Sequence, residues 1–202
     1  MVKKDMLKKP PRLLYSAACL IAGLFLKTKC KAQFDRSGLS DLKGPALLLC
    51  PHISNMDFLL VAVALRPHRP TFVVSDHFMR RPALRRALRI MRVIPKKMFC
   101  PDIRTIKNII RAKESGNIIV LFPEGRLTCV GHSLNVTDGT ADLVRKLGVD
   151  VYTVTGNGAY KTLPKWGKSG FRPGKIKVTA EKVLDASQIA AMSAEQIEAE
   201  IE

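Results

Sequence analysis

A histidine and an aspartate, His52 and Asp57, stand five residues apart between two apolar runs. The run at residues 46–50 predicts a buried strand, and the run at residues 58–65 predicts a buried helix. Proteins of the α/β class commonly place their chemistry on loops at the ends of such elements. A histidine there can exchange a proton near neutral pH, and a carboxylate can hold its ring in one tautomer. The pair therefore predicts a general base with its orienting acid.

Asp57 also has a purely structural interpretation. Ser54 stands three residues before it, ahead of an apolar run, and this is the pattern of a helix-capping box. In that interpretation Asp57 closes the first helical turn, and His52 is an ordinary loop residue. The two roles are compatible, because a first-turn carboxylate beside His52 can serve both.

A second polar segment, Phe-Pro-Glu-Gly-Arg at residues 122–126, follows another apolar, strand-like run. Together with the His-x-Ser-x-x-Asp segment, it resembles the glycerolipid acyltransferase family. His52 and Glu124 lie 72 residues apart, and the resemblance covers about residues 45–160. Either motif alone is short, but the ordered pair at two strand ends is fairly specific.

The resemblance implies an enzyme that moves a fatty acyl group from a thioester to the hydroxyl of a glycerol phosphate or lysophospholipid. The donor is then acyl-coenzyme A or acyl carrier protein, and no cofactor is needed. It also implies that Glu124, Gly125 and Arg126 bind the acceptor. Arg126 offers a planar fork for phosphate oxygens, and Gly125 lets backbone amides come close. Glu124 would repel phosphate, so we expect it to accept from an acceptor hydroxyl or to hold Arg126.

The resemblance implies acylation of 1-acylglycerol-3-phosphate (lysophosphatidate) in phospholipid biosynthesis, by direct attack of the hydroxyl, and His52 is the candidate general base. A covalent route through Cys50 or Ser54, which flank His52, is less favoured because the chain has no Gly-x-Ser-x-Gly motif. Two further alternatives stay open. They are acylation of glycerol-3-phosphate or another lysophospholipid, and a non-catalytic, basic lipid-binding protein.

The net charge of +17 over 202 residues predicts acidic partners, such as anionic lipid, a phosphorylated substrate or an acidic carrier protein. Nucleic acid is not favoured as a partner, because no recognition motif is present. The four histidines show no ligand spacing, so no metal site is predicted. The five cysteines are scattered, without a Cys-x-x-Cys pair, and they predict reduced thiols in a cytosolic setting.

Residues 1–31 form a basic and apolar N-terminal segment. Its uncharged stretch, residues 13–26, has 14 residues with lysines on both sides, short of the roughly 20 that span a bilayer. We predict a helix in the membrane interface, with lysines on anionic headgroups. The protein is then peripheral or monotopic, on the cytoplasmic face of the cell membrane. The alternative is a helix that covers the domain's own core.

The rest of the chain predicts a single α/β domain at residues 32–184, with a largely parallel central sheet flanked by helices. A polar connector is predicted at residues 32–44. Strands are predicted at 46–50, 71–75, 92–94, 118–122, 151–155 and 175–179, and helices at 55–65, 77–90 (interrupted near Pro82), 102–115 and 137–147. The acidic tail at residues 185–202 is predicted to be helical, with a capping box at Ser193 and Gln196.

Two basic stretches have no role in the predicted chemistry. Residues 80–92 contain six arginines, with apolar residues at helical spacing on one side. Four interpretations of such a helix stay open: it contacts membrane phosphates, coenzyme A phosphates or acyl carrier protein, or it is a solvated face. The loop at residues 161–175 places Trp166 among lysines, and this arrangement suits a membrane interface.

Overall fold

The computed structural model describes residues 9–98, 102–164 and 170–202. Within these ranges the strands are β1 (Gln33–Asp35), β2 (Ala46–Leu49), β3 (Thr71–Ser75), β4 (Ile94–Lys96), β5 (Ile118–Leu121), β6 (Val151–Asn157) and β7 (Lys177–Leu184). The helices are α1 (Arg12–Cys30), α2 (Asp57–Ala64), α3 (Pro82–Ile90), α4 (Ile103–Glu114), α5 (Thr140–Leu147), α6 (Ala159–Thr162), α7 (Ala186–Ala191) and α8 (Ala194–Ile201). Two 3₁₀ turns cover Ser37–Leu39 and Asp76–Arg80.

All seven strands form one sheet, in the order β1-β7-β6-β2-β5-β3-β4. The five strands from β6 to β4 run parallel to one another. β7 is antiparallel to β6, and β1 is parallel to β7. The predicted α/β fold with a largely parallel sheet is therefore confirmed, with two strands of opposite direction at one edge.

The sheet is buried on both faces, as the continuous apolar runs of its central strands require. Leu48 and Cys50 point into one hydrophobic cluster with α1 and α2. Leu47 and Leu49 point into a second cluster with α4, α5, α7 and α8. Side chains alternate between faces along a strand, so one short run serves both layers.

The predicted connector at residues 32–44 is wrong in part, because it contains β1 and a 3₁₀ turn. Phe34 of β1 pairs with Val178 of β7. A strand of three residues is too short to show an alternating pattern, so the sequence gives no local signal for it. The interruption predicted near Pro82 in the helix at residues 77–90 is confirmed, because a 3₁₀ turn comes first and α3 begins at Pro82. A proline is well suited to that first helical position.

Helix α1 has two different sides. Tyr15, Cys19, Leu26 and Cys30 form a buried stripe that packs on the domain. The opposite side exposes large apolar residues, which are Leu13, Leu14, Leu20, Ile21 and Leu24. Of the described helices, α1 is the one whose length and composition would allow it to cross a membrane. The helix therefore covers the core, as the alternative interpretation expected, and it also presents an apolar face outward. The membrane role of that face stays a prediction.

The acidic segment at residues 185–202 forms α7 and α8, and both helices begin with capping boxes. Ile189 and Ile197 are 1% and 0% exposed and lie in the second hydrophobic cluster. The segment therefore packs on the same sheet as the predicted domain. Trp166 lies outside the described residues, and its membrane role stays a prediction.

Candidate active site

The two motifs meet because their strands are neighbours. β2 and β5 pair in parallel, and Leu49 is in register with Leu121. The loops that follow parallel strands leave from the same edge of a sheet. The His52 loop after β2 and the Glu124 loop after β5 therefore lie side by side at that edge, which we call the catalytic edge.

Asp57 holds the ring of His52 at the catalytic edge. His52 Nδ1 lies 3.0 Å from Asp57 Oδ2, and the Asp57 residue is only 4% exposed. The same oxygen accepts a hydrogen bond from the backbone N–H of Ser54 at 2.8 Å. Burial raises the pKa of the Asp57 carboxyl, while the bonds from His52 and Ser54 oppose that rise. The geometry is that of a general base beside an orienting carboxylate.

Asp57 also has the predicted structural role at the start of α2, in part. Asp57 is the first residue of α2, and its bond from the Ser54 amide is one half of a capping box. The other half is missing, because Ser54 Oγ accepts from the Met56 amide and donates to the Leu163 carbonyl. One oxygen of Asp57, Oδ2, therefore contacts both the backbone of the turn before α2 and the His52 ring.

The segment that follows β5, residues 122–128, contacts His52 in three ways. Glu124 Oε1 accepts from the backbone N–H of His52 at 3.1 Å. The backbone N–H of Thr128 donates to the His52 carbonyl at 2.9 Å. The Phe122 ring stacks on the imidazole with centroids 4.5 Å apart. We call this set of contacts the His52 clamp. Sequence analysis assigns no role to Phe122 or Thr128, although both belong to the segment that carries the resemblance.

Glu124 is a buried carboxylate, only 5% exposed. Its Oε2 atom is buried without a hydrogen-bond partner among the described residues. Burial raises the pKa of the Glu124 carboxyl, and the His52 amide opposes the rise. The expected ion pair between Glu124 and Arg126 does not occur among the described contacts. Contact of Glu124 with an acceptor stays a prediction.

Gly125 and Arg126 form the turn that follows Glu124. Gly125 has a φ of +66°, and its N–H donates to the Phe122 carbonyl at 3.2 Å. Glycine adopts this left-handed conformation without the steric cost that a side chain brings. Arg126 is exposed at the end of the turn. The sharp turn thus buries the carboxylate and presents the guanidinium to solvent.

Neither residue that flanks His52 is placed to act as a nucleophile. Cys50 is fully buried, and burial raises the pKa of its thiol to about 12. A thiol must lose its proton to become nucleophilic, so Cys50 is inert near neutral pH. Ser54 is also 0% exposed, and its hydroxyl donates to the Leu163 carbonyl. The geometry therefore favours direct attack on the donor over a covalent acyl-enzyme.

A cavity of about 270 Å³ adjoins the catalytic edge. Its walls include Leu49, Pro51 and Glu124, together with residues of β6, β7 and the end of α8. His52 and Arg126 do not line it, and the His52 side chain is 27% exposed to solvent. Within the described ranges, no group of three or more His, Cys, Asp or Glu residues lies close enough together to hold a metal.

Comparison with known proteins identifies the family. The family model named Acyltransferase matches residues 28–156, which is more than half of the chain. Among solved structures, the chain is similar to the 1-acyl-sn-glycerophosphate (LPA) acyltransferase PlsC from Thermotoga maritima, with a TM-score of 0.75. The two share 19% sequence identity over 93% of this chain and 75% of that chain, so this likeness concerns the fold. The matched residues include both motifs of the catalytic edge, and the chain belongs to the Acyltransferase family.

Proposed function

We propose that this protein transfers a fatty acyl group from a thioester donor to the free hydroxyl of 1-acylglycerol-3-phosphate. The observation that carries the proposal is the 3.0 Å contact between His52 and Asp57 at the catalytic edge, beside the turn that presents Arg126. The similarity in fold to an LPA acyltransferase supports the choice of acceptor. The donor is acyl-coenzyme A or acyl carrier protein, since both carry the same reactive thioester.

In the proposed reaction, His52 takes the proton of the acceptor hydroxyl. A neutral imidazole that donates from Nδ1 to Asp57 has its lone pair on Nε2. As Nε2 removes the proton, the hydroxyl oxygen forms a bond to the thioester carbonyl carbon. The tetrahedral intermediate then collapses, the carbon–sulfur bond breaks, and the departing thiolate takes the proton back from His52. The products are the ester and the free thiol, and no protein nucleophile is needed.

Asp57 contributes by stabilising the imidazolium that forms during attack. Its carboxylate lies against the protonated ring in a buried position, where the attraction between the two charges is strong. It also keeps the Nδ1 proton in place, so that Nε2 is free to act as the base. The His52 clamp fixes the peptide while Asp57 fixes the ring.

Arg126 binds the acceptor phosphate in this proposal. A guanidinium forms paired hydrogen bonds to phosphate oxygens, and the exposed turn leaves Arg126 accessible to a lipid headgroup. Gly125 lets the phosphate approach the backbone amides of the turn. The phosphate would thereby place the free hydroxyl of the acceptor near His52.

The membrane is part of the proposal, because the acceptor carries an acyl chain. The outward face of α1, with Leu20, Ile21 and Leu24 at 61–71% exposure, suits insertion into the membrane interface. The protein is then a peripheral or monotopic enzyme of the cytoplasmic leaflet.

The test presents the purified chain with acyl-coenzyme A and with acyl carrier protein, against glycerol-3-phosphate, lysophosphatidate and lysophosphatidylethanolamine. Ester should form fastest with lysophosphatidate. His52→Ala should reduce turnover by about 10²–10⁴-fold and leave the circular dichroism spectrum unchanged. His68→Ala is the matched control, because His68 precedes β3 at the opposite end of the sheet. Absence of product with every pair would favour a non-catalytic lipid-binding protein.

A further inference from the structure

The segment between β3 and α4 presents a strongly cationic surface. Residues 77–98 contain eight lysines and arginines and no acidic residue. Five of these cations are exposed on and just before α3, and together we call them the arginine surface: Arg80, Arg81, Arg85, Arg86 and Arg89. None of them forms an ion pair with a carboxylate of the described residues. Carboxylates of the described residues therefore leave this charge uncompensated at the surface.

Helix α3 directs its arginines outward by placing its apolar side inward. Leu88 and the following Met91 pack on the first hydrophobic cluster, which also includes α1 and α2. Two large apolar residues of this segment are nevertheless exposed. Phe78 and Ile90 are 44% and 41% exposed at the two ends of the arginine surface. The surface thus combines a cationic centre with apolar ends.

The arginine surface lies at the catalytic edge. β3 is parallel to β5 and β5 is parallel to β2, so the segments that follow these three strands leave from one edge of the sheet. α1 extends along a face of the domain. Just before its start, the Pro10 carbonyl accepts a hydrogen bond from the Arg69 guanidinium, which precedes β3. At its end, the Cys30 carbonyl accepts from the backbone N–H of Ile176, which precedes β7. Contact through α1 alone would leave the orientation of the catalytic edge unspecified.

We propose that the arginine surface binds the anionic headgroups of a bilayer and turns the catalytic edge toward it. This inference rests on the proposed function, because an acyl-chain acceptor is held in the bilayer. Guanidinium groups pair with lipid phosphates, and exposed apolar residues such as Phe78 and Ile90 enter the headgroup region. Stable attachment to a membrane generally requires two signals. The outward face of α1 is the apolar signal, and the arginine surface is the electrostatic one.

An acidic protein partner is the competing occupant, and the exposed apolar ends favour the bilayer over it. Sites that bind an acidic protein by charge alone have no need of Phe78 and Ile90 beside the cations. A bilayer accommodates both features, because its headgroups are charged and the layer beneath them is apolar.

The experiment measures binding of the 202-residue chain to vesicles of phosphatidylcholine with and without roughly 30% phosphatidylglycerol at low salt. The test variant is Arg81→Gln/Arg85→Gln/Arg89→Gln, which removes three charges at helical spacing. The matched control is Arg104→Gln/Lys107→Gln/Arg111→Gln, which removes three exposed charges from α4. That helix packs on the other face of the sheet. Gln keeps helix propensity in both variants.

We expect the test variant to lose at least about 10-fold in affinity for anionic vesicles and to change little on neutral ones. The control should retain most of its preference for anionic vesicles. In a second measurement, acylation of vesicle-borne lysophosphatidate should fall in the test variant, while acylation of the same acceptor in detergent micelles should not. Vesicle binding is measured without turnover, so it tests the surface even if the proposed reaction is wrong.

Equal losses of vesicle binding in the test and control variants would overturn the proposal, because net charge would then be the cause. Unchanged vesicle binding in the test variant would also overturn it. If that variant in addition lost activity with acyl carrier protein but not with acyl-coenzyme A, the arginine surface would be a docking site for the acidic carrier.

Discussion

Glu124 offers the sharpest test of the catalytic edge, because its contact with His52 is to the backbone. We predict that Glu124 is a positioning residue, which acts by holding the His52 peptide. Glu124→Ala removes the acceptor 3.1 Å from the His52 N–H. An amide left without its partner costs about 1–3 kcal/mol. If that loss appears in the transition state, turnover falls by roughly 5- to 150-fold.

Glu124→Gln provides the conservative comparison. Its amide oxygen can still accept from the His52 N–H, and its NH₂ group replaces the unpartnered Oε2. We therefore expect Glu124→Gln to restore most of the turnover that Glu124→Ala loses. A matched control is Glu181→Ala, which removes an exposed carboxylate from the wall of the cavity that Glu124 also lines. It should leave turnover close to that of the wild type.

The assay is steady-state kinetics with lysophosphatidate varied at saturating donor, together with thermal unfolding of each variant. A positioning role predicts a lower kcat with little change in the KM for lysophosphatidate. A raised KM at unchanged kcat in Glu124→Ala would contradict the positioning role, and it would place Glu124 in contact with the acceptor. If turnover fell in both Glu124→Ala and Glu124→Gln in proportion to the fall in melting temperature, Glu124 would have a role in folding alone.

Two further predictions concern recognition and stability. Arg126→Ala should lower kcat/KM for lysophosphatidate by roughly 10- to 150-fold, mainly by raising the KM for this acceptor. Arg126→Lys keeps the charge but loses the planar fork, so it should restore kcat/KM only partly. Equal losses with a neutral monoacylglycerol as acceptor would contradict phosphate binding by Arg126. Asp150 accepts from the Ala186 amide and pairs with Lys182, and these contacts hold the pKa of its carboxyl below the usual range. Its stabilising contribution should therefore be complete above the unfolded pKa of about 4 and be lost as pH falls through the lower folded pKa. Urea unfolding followed with pH should show this loss in the wild type, whereas Asp150→Asn, which lacks the ionisable group, should show a smaller acid-dependent change.

Much of the local structure could be predicted because it depends on residues close together in the chain. The apolar run at residues 71–75 predicted β3 with its observed bounds, and the prediction of an interruption at Pro82 matched the start of α3. The spacing of His52 and Asp57 predicted a base and its orienting acid, and the structure brings the two side chains into contact. Their catalytic roles stay predictions until turnover is measured.

Local sequence patterns were enough to predict which chemical groups stand at the strand ends and where most helices and strands lie, because hydrophobic periodicity and turn residues act over a few neighbours. The position of β2 beside β5 follows from the tertiary fold instead, and this pairing joins segments 72 residues apart. From that pairing comes the His52 clamp, in which the Glu124 carboxylate accepts from the His52 amide. The same pairing gives Thr128 its role through a backbone N–H, which no side-chain pattern reveals. Backbone contacts of this kind depend on which strands become neighbours, and strand order is set by the packing of the whole sheet.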